Sequence, residues 1–583
     1  MTTDQTVPVL DRTPRARGRR RIPVLRSVIW AVALLVALFI LYPLAEAVRG
    51  LTGTSTDTTA NESTLIGVIT SGETLRALLN TVILVVCGGV FAVVVGAALA
   101  WLNERTDARV GWIAEVLPLV SLFVPSLAAA IGWVFLLDPE LGVFNVLLRQ
   151  VLGPLGVHPA QGPLDIYSWY GLIWCYGVFL VPFAYVAISN GLQSLDRSVE
   201  EASHVAGASP FATFRRITLP SMRPALGGAG LMVVVMGMAL FSMPVIIGTR
   251  AEIEVLPVLI VHDVRDTYPA DEVSALSRSL LLLIIVFTAL YLQRRLIGFG
   301  KGQAFATVGG KGGRSGTTRL GRWRWPARVL MIGYLLVSSV LPFLGLLLVS
   351  LQRFWDRSID WGGLSLQGYS ELLARPILRQ GLTNSLVLGV ICATIALACA
   401  VLVAQLTEVK GGRSARVVDA VLRIPAALPH MVFAIALIAA FGGPPFGWNG
   451  TPLILIAAYS VMYLPQGILY TNAAIQQIGR PLIEASQVSG AGEGRTLRRV
   501  LLPLMMPSVV SAWALVFVLM MGDITASAML ASTQTPVVGF VMLDQWGYGS
   551  YPAVAALGVV MSVVAAVVAL LAMWVRGRYR ING

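Results

Sequence analysis

The sequence predicts an all-α polytopic membrane protein with about 12 transmembrane helices in two parallel six-helix repeats. Three observations predict this class. Hydrophobic residues make up 56% of the 583 positions and charged residues only 13%, which is too apolar for a soluble protein. Twelve apolar stretches approach the length of roughly 20 residues that a helix needs to cross the hydrocarbon core. The second half of the chain also repeats motifs of the first half at a constant spacing.

The predicted spans form two sets of six. Those of the first half are 28–48, 78–102, 115–137, 168–189, 225–248 and 278–297. Those of the second half are 327–351, 383–405, 419–441, 452–471, 508–531 and 554–575. Pro465 divides a short span, which a membrane protein tolerates because neighbouring helices can satisfy the backbone groups that proline leaves free.

The formal net charge of +13 raises the question of a nucleic-acid partner, and the placement of the basic residues answers it. If the N-terminus is cytoplasmic, 33 of the 43 Lys and Arg residues lie on the cytoplasmic side. By the positive-inside rule this predicts a multi-pass protein of the cell (inner or plasma) membrane with both termini in the cytoplasm. The charge then reports orientation in membrane lipid, and no nucleic-acid partner is expected.

The internal repeat is clearest in one predicted cytoplasmic loop. Glu201-Ala202-Ser203 recurs as Glu484-Ala485-Ser486, and Gly207-Ala208 recurs as Gly490-Ala491, each 283 residues later. Further pairs at this spacing are Arg215-Arg216 with Arg498-Arg499, Leu219-Pro220 with Leu502-Pro503, and Pro182 with Pro465. Upstream the spacing is 304, as between Asn80 and Asn384, because the first half has the longer outer loop. Six spans per copy is an even number, so the copies share one orientation.

This pattern divides the chain into four parts. They are a basic cytoplasmic tail at 1–27, a first half at 28–297 with its core at about 74–297, a Gly/Arg-rich cytoplasmic linker at 298–326, and a second half at 327–583 with its core at about 379–575. A cleavable signal peptide at the start is disfavoured because the apolar run exceeds the usual 7–15 residues.

The repeated loop has a readable local structure. Gly207 is expected to break one helix, and Ser209-Pro210 offers an N-cap followed by proline in the first turn of another. This second, short helix should run to about Ile217. Leu219-Pro220 should end it before the next span.

At these residues the chain resembles the type-I ABC importer permeases, whose signature is E-A-A-x-x-x-G-A followed by Leu-Pro and a further Pro. Ser203 and Ser486 depart from the third position of that signature. In the family this loop is the coupling helix, which docks in a cleft of the ATP-binding subunit. The residues to which the resemblance carries this role are Glu201, Ala202, Ser203, Gly207, Ala208, Phe214, Arg215, Arg216, Leu219, Pro220, Glu484, Ala485, Ser486, Gly490, Ala491, Leu497, Arg498, Arg499, Leu502 and Pro503.

Within this family, the fusion of two halves resembles the ferric-iron permeases, as do the strings at 244–250 and 526–530. The resemblance implies import of ferric iron, with thiamine, aminoethylphosphonate, polyamine or another small polar solute as alternatives. It implies two copies of an ABC ATP-binding subunit, which would hold ATP-Mg, and an extracytoplasmic solute-binding protein. We expect that protein to meet the outer loops 138–167, 249–277 and 352–382, because long loops are natural recognition elements.

Candidate residues for the solute pathway are Asp523, Asn80 and Asn384. Asp523 is expected to be the only ionisable residue well inside a span, with no basic residue beside it in the hydrocarbon. It should therefore face the bundle interior or a watery cavity, in a pathway role or a structural one. The two asparagines can bond across helices, as packing contacts or as solute contacts.

No catalytic constellation or metal-ligand spacing is apparent, so the chain is expected to be a transporter rather than an enzyme, with no cofactor of its own. An ion-coupled secondary transporter is the alternative class. It would need more buried charges than the sequence offers. A membrane scaffold protein would not need two matched docking loops.

Overall fold

A computed structural model describes residues 24–52, 65–110, 124–152, 161–195, 198–268, 270–296, 319–405 and 412–581. Over these residues the regular structure consists of α-helices with short 3₁₀ and π turns, and no strand occurs. The predicted all-α class is confirmed. The tail up to residue 23 and the linker residues 297–318 lie outside the described part.

The described helices follow the two-half plan. The first half contains α1 (Val24–Thr52), α2 (Leu65–Thr70), α3 (Gly72–Arg105), α4 (Ser126–Leu137), α5 (Val143–Leu152), α6 (Trp169–Ser194), α7 (Ser198–Val205), α8 (Pro210–Thr213), α9 (Arg223–Met238), α10 (Leu256–Arg265) and α11 (Glu272–Leu296). The second contains α12 (Arg324–Leu335), α13 (Leu341–Ser350), α14 (Gln367–Ala374), α15 (Pro376–Ala404), α16 (Arg413–Leu422), α17 (His430–Phe441), α18 (Pro452–Met462), α19 (Leu464–Ile478), α20 (Arg480–Val488), α21 (Glu493–Thr496), α22 (Leu502–Met521), α23 (Thr525–Leu530), α24 (Val538–Gly547) and α25 (Tyr551–Ile581).

In the described part, nine helical stretches are long and apolar enough to cross a membrane, or ten if a pair bent by 57° before α9 counts as one span. The two other predicted spans end in the 12-residue apolar helices α4 and α17. The prediction of one continuous helix over 419–441 is wrong. Pro425 and Pro429 interrupt it, because proline lacks the amide hydrogen that an interior helical position donates, and α17 begins only at His430.

Two further predicted spans are shorter than expected at their outer ends. Helix α9 ends at Met238 and α22 ends at Met521, which are related by the 283-residue spacing. The predictions of continuous helices to residues 248 and 531 are therefore wrong. Hydropathy averages over a break of a few apolar residues, so it cannot locate one.

Each half sends its first span onto the other half. Phe39 of α1 stacks on Phe441 of α17, with ring centroids 5.6 Å apart. In return, α13 packs on α4, where a side-chain carbon at Gly345 would lie 2.7 Å from the carbonyl oxygen of Gly132. Helices α1 and α13, each from the first span of its half, therefore pack against the membrane core of the opposite half and hold the two halves together.

The repeat extends to individual packing contacts. A side-chain carbon at Gly96 of α3 would lie 3.0 Å from Cβ of Ala184 in α6. At the corresponding place in the second half the sizes are reversed, and a side-chain carbon at Gly467 of α19 would lie 3.1 Å from Cβ of Ala400 in α15. In both copies a glycine on one helix faces an alanine on the other, and these small side chains let the two helices approach closely.

Candidate functional site

The two predicted coupling loops have the same backbone geometry. Gly207 has a φ of 85° and Gly490 a φ of 80°, a left-handed conformation that glycine adopts without steric cost. The amide of Ala208 donates to the carbonyl of Ser203 at 3.1 Å, and that of Ala491 donates to Ser486 at 3.1 Å. The helix break expected at both glycines is present.

A hydroxyl pair closes each loop. The side-chain oxygens of Ser203 and Thr213 lie 2.9 Å apart, and those of Ser486 and Thr496 lie 3.0 Å apart. Both threonines are buried. The pairs are related by the 283-residue spacing, so the loops share side-chain contacts as well as sequence.

The helix after each turn does not stop where the sequence predicted. Ser209 caps its start, with Ala212 N 3.3 Å from Ser209 Oγ. Helix α8 then continues through a π turn at Phe214–Thr218 and through Leu219–Ser221. The prediction that Leu219-Pro220 ends the helix is wrong. Pro220 lies in the first turn of the helical segment that follows the π turn, and proline is tolerated in a first turn. The bend lies at Met222 instead.

The remaining predicted coupling residues divide into a packed and an exposed group. Phe214 packs edge-on against Trp101, with ring centroids 5.5 Å apart, and Leu497 is buried. The exposed group contains Ala202, Arg215, Arg216, Leu219, Glu484, Ala485, Arg498, Arg499 and Pro503, and a half-buried set lies between the groups, namely Ala208, Pro220, Ala491 and Leu502. The side chain of Glu201 lies outside the described part.

Sequence reasoning missed two pairs of exposed apolar residues beside these loops. Val205 and Val488 are both 89% exposed, and they are 283 residues apart. Val199 and Leu482, also 283 apart, are 52% and 51% exposed. Single exposed apolar residues are ordinary, but here the same exposure recurs at matched positions in both copies.

The two asparagines support backbone at matched places. Nδ2 of Asn80 donates to the carbonyl of Glu254 at 2.8 Å, and Nδ2 of Asn384 donates to that of Pro536 at 2.9 Å. These contacts hold the chain just before α10 and α24. Their pathway role stays a prediction.

Asp523 lies at the break between α22 and α23 rather than inside one helix. Its Oδ1 accepts the amide of Ala526, a residue in the first turn of α23, at 3.0 Å. Its Oδ2 lies 2.9 Å from Nδ1 of His430 and 2.8 Å from the hydroxyl of Tyr463. We name His430, Tyr463 and Asp523 the polar cluster. The expectation that Asp523 has no basic neighbour is wrong, since His430 is its partner.

All three members of the polar cluster occupy helix interruptions. His430 is the first residue of α17 after Pro429, Tyr463 separates α18 from α19, and Asp523 separates α22 from α23. Non-helical backbone at membrane depth is tolerated only where it is buried in protein or lines a cavity. The sequence could signal this through Pro429, Pro465 and Gly522.

The polar cluster lies against the other half and has no copy there. A side-chain carbon at Gly522 would lie 3.4 Å from Cβ of Pro125, the residue before α4. The positions that correspond to His430, Tyr463 and Asp523 in the first half are Ser126, Leu180 and Leu240. The polar side chains therefore belong to the second half alone.

Among the three predicted recognition loops, 249–277 and 352–382 both contact 138–167. Arg250 lies 3.5 Å from Asp138, and Arg357 lies 2.6 Å from Glu140. The hydrogen bond and charge of Arg357 lower the pKa of the Glu140 carboxyl. These contacts join loops of both halves on one surface.

Metal-binding side chains are sparse in the described residues. There, no group of three or more His, Cys, Asp or Glu side chains could hold a metal ion. The polar cluster contributes one histidine and one carboxylate, so any metal contact there would be weak.

Comparison with known proteins places this architecture. Residues 88–298 and 386–581 each match the family described as binding-protein-dependent transport system inner membrane component. The ferric transport system permease protein FbpB of Actinobacillus pleuropneumoniae is 24% identical over 557 residues, covering 94% of this chain and 78% of the relative. A putative 2-aminoethylphosphonate transport system permease protein PhnV of Salmonella paratyphi A is 28% identical over 213 residues, covering 36% of this chain and 80% of the relative.

Among solved structures, a bacterial ABC transporter involved in import of the acidic polysaccharide alginate is similar, with 17% identity and a TM-score of 0.37, covering 46% of this chain and 96% of that chain. The family match falls on both halves and does not include α1 or α13, the helices that pack against the opposite half. The chain therefore belongs to the family of binding-protein-dependent transport system inner membrane components, as a multi-pass transport permease that carries the family's domain twice.

Proposed function

We propose that this chain forms the translocation pathway of an ABC importer and couples it to two copies of an ATP-binding subunit, one at each repeated loop. The observation that carries this proposal is the matched geometry of the loops, including the Ser203–Thr213 and Ser486–Thr496 contacts. Each loop also presents an exposed valine, Val205 or Val488, that a partner could cover. Hydrolysis of ATP-Mg belongs to those subunits.

Both loops lie on the cytoplasmic side in this proposal, with the N- and C-termini. The concentration of 33 basic residues on that side supports the orientation. An ion-coupled secondary transporter has less support, because it would not need two matched docking loops.

The proposed solute is ferric iron. Two features support it: similarity along 94% of the chain to a ferric transport permease, and a carboxylate, Asp523, buried in the second half with no Lys or Arg in ion-pair contact among the described residues. A buried negative charge favours a cation and opposes an anion. Aminoethylphosphonate, the solute in the name of a relative that covers 36% of this chain, is the second candidate, and thiamine and polyamines remain further alternatives.

An extracytoplasmic solute-binding protein is proposed to deliver the solute to the outer surface where Glu140, Arg250 and Arg357 lie. The support is that the ion pairs join three separate loops into one surface that includes residues of both halves. Such a surface could respond to movement of one half against the other.

The test is reconstitution of the chain with the ATP-binding subunits and binding protein that co-purify with it. We expect ATP-dependent uptake of radioactive iron that requires the binding protein. Uptake of labelled aminoethylphosphonate without iron uptake would show that the chain is an importer of a different solute. Solute uptake driven by an ion gradient in the absence of any ATPase would reject the importer itself.

A further inference from the structure

The polar cluster lies beside a candidate membrane span, away from the ends of that span. Tyr463 divides the candidate span Pro452–Ile478 near its middle, and its hydroxyl contacts Asp523 directly. Transport proteins place solute sites where interrupted helices meet near mid-membrane at the interface between repeats. The contact of Gly522 with Pro125 puts this cluster at such an interface.

The hydrogen bonds fix the tautomer of the neutral His430 side chain. An ionised carboxylate is only an acceptor, and Asp523 accepts from Ala526 through Oδ1 and from Tyr463 through Oδ2. Nδ1 of His430, 2.9 Å from the same Oδ2, then carries a proton and donates it. In the neutral imidazole, Nε2, at the far side of the ring, then has the lone pair.

Exposure distinguishes the two partners. The side chain of Asp523 is 2% exposed, whereas that of His430 is 29% exposed. Nε2 has no hydrogen-bond partner among the described residues. The carboxylate is thus covered by the groups that bond to it, and the imidazole is the member of the polar cluster that a passing solute can reach.

We propose that Nε2 of His430 contacts a metal cation in transit, and that Asp523 is a positioning residue that orients the imidazole; this rests on the proposed import of a metal. A carboxylate bonded to the Nδ1 hydrogen fixes the tautomer and the ring orientation of a metal-binding histidine. One imidazole is a weak ligand, which suits a pathway, because a transported ion must leave as readily as it enters.

The contact is one-sided. Ser126, Leu180 and Leu240 occupy the corresponding positions of the first half, and none of them supplies a comparable lone pair with a carboxylate behind it. A cation crossing between the halves would therefore be drawn towards the second half.

The contact is tested by changing the ligand, because altered metal preference does not follow from a purely structural role. His430→Cys introduces a thiolate, which binds soft cations such as Cd²⁺ strongly. In proteoliposomes with the co-purified ATP-binding subunits, the Cd²⁺ concentration that half-inhibits ATP hydrolysis should fall at least about tenfold relative to the unmodified chain. The control is Met431→Cys at the neighbouring position, which is fully buried and should show no such sensitivity.

The positioning role is tested with Asp523→Asn in preparations that still co-purify with the ATP-binding subunits. Loss of a partner behind a metal-binding histidine costs about 10–100-fold in affinity, so the KM for iron should rise more than the maximal rate falls. Unchanged Cd²⁺ sensitivity in the assembled His430→Cys variant would overturn the contact, and an unchanged KM in Asp523→Asn would overturn the positioning role. Because the Cd²⁺ measurement reads ATP hydrolysis, it judges His430 even if the chain imports no iron.

Discussion

The hydroxyl oxygens of Ser203 and Thr213 lie 2.9 Å apart across the turn that Gly207 makes. This contact gives a reason for the serine at the third position of the family signature, where alanine is the usual residue. Thr213 is buried, and an alanine at 203 would leave its hydroxyl without this partner. The second half carries the same compensation in Ser486 and Thr496.

Removing one hydroxyl of this pair should loosen the loop. We expect Ser486→Ala to lower the free energy of local opening by about 0.5–1.5 kcal/mol, because it removes one hydrogen bond and strands a buried hydroxyl. Adding Thr496→Val should cost less than a second independent change, since both side chains share one interaction. Amide hydrogen exchange across 484–497 measures this, and strictly additive losses would contradict the pairing.

The left-handed turns give a second prediction. Gly207→Val and Gly490→Val should each uncouple ATP hydrolysis from transport, because a β-branched residue is strained by about 1–2 kcal/mol or more at a φ near 80°. Apart from the glycine and its two chain neighbours, no atom lies within 4 Å of the position where the new Cβ would stand, so the effect would come from the backbone alone.

The matched control for this change is Gly492→Val. Gly492 also faces open space but has a φ of −68°. The measurement is the ratio of solute transported to ATP hydrolysed. Equal effects at 490 and 492 would show that bulk in the loop matters and that the turn does not.

These loops could be predicted from the sequence because their determinants are local. Gly207, Ser209 and Pro210 act within a few residues, and a second copy confirms the pattern. The exposure of Val205 and Val488 could not be predicted in the same way. It depends on which faces of α7 and α20 the rest of the protein leaves uncovered.

That exposure supplies a third prediction. Val205→Asp and Val488→Asp should reduce co-purification of the ATP-binding subunit, because an apolar contact would be replaced by a charge that must be desolvated on docking. The folding of the chain should change little, since both side chains are 89% exposed. Val417→Asp is the control, at a 63% exposed valine of α16 that lies outside the loops. Full retention of the subunit by the double variant would contradict the assigned surface.

Only one member of the polar cluster, Asp523, could be predicted from the sequence. Asp523 could be identified because an ionisable residue in an apolar span is rare. Its partner His430 lies 93 residues away, and no local pattern reports such a contact. The interruption that positions His430 was also missed, because the flanking residues of 419–441 keep the average hydropathy high.

The outer ion pair gives a pH prediction. Arg357 lowers the pKa of Glu140 in the folded protein. The contribution of the pair is therefore present above the unfolded-state pKa of the carboxyl, and it is lost as pH falls through the lower folded-state value. We expect stimulation by the binding protein to decline over that acidic range, and Glu140→Gln to show the low stimulation already at neutral pH.

Thermal stability is the control for this prediction. Both side chains are exposed, and exposed ion pairs contribute little to the free energy of unfolding, so the Tm of Glu140→Gln should stay close to that of the parent. If stimulation by the binding protein is equal in the variant and the parent at every pH, the Glu140–Arg357 pair is not part of the docking surface.

The last prediction uses one half of the protein as a guide to the other. Gly96 faces Ala184 in the first half, and Ala400 faces Gly467 in the second, so the same helix contact is built with the two residue types exchanged. Gly96→Ala should destabilise the chain by about 1–3 kcal/mol, because a new methyl group would overlap Cβ of Ala184 in a packed interface. Ala184→Gly added to that variant would recreate the arrangement of the second half.

The rescue should recover most of the loss without completing it. A side-chain carbon at Gly96 would lie 3.0 Å from Cβ of Ala184 but also 3.0 Å from the backbone nitrogen of Tyr185, and only the first contact disappears in the double variant. In the second half the glycine is on α19 instead, and its neighbours other than Ala400 lie at 3.6 Å. Tm values of the purified single and double variants form a double-mutant cycle that measures the shared contact. If Ala184→Gly leaves the Tm of Gly96→Ala unrestored, the backbone contact dominates and the two halves do not pack equivalently at this point.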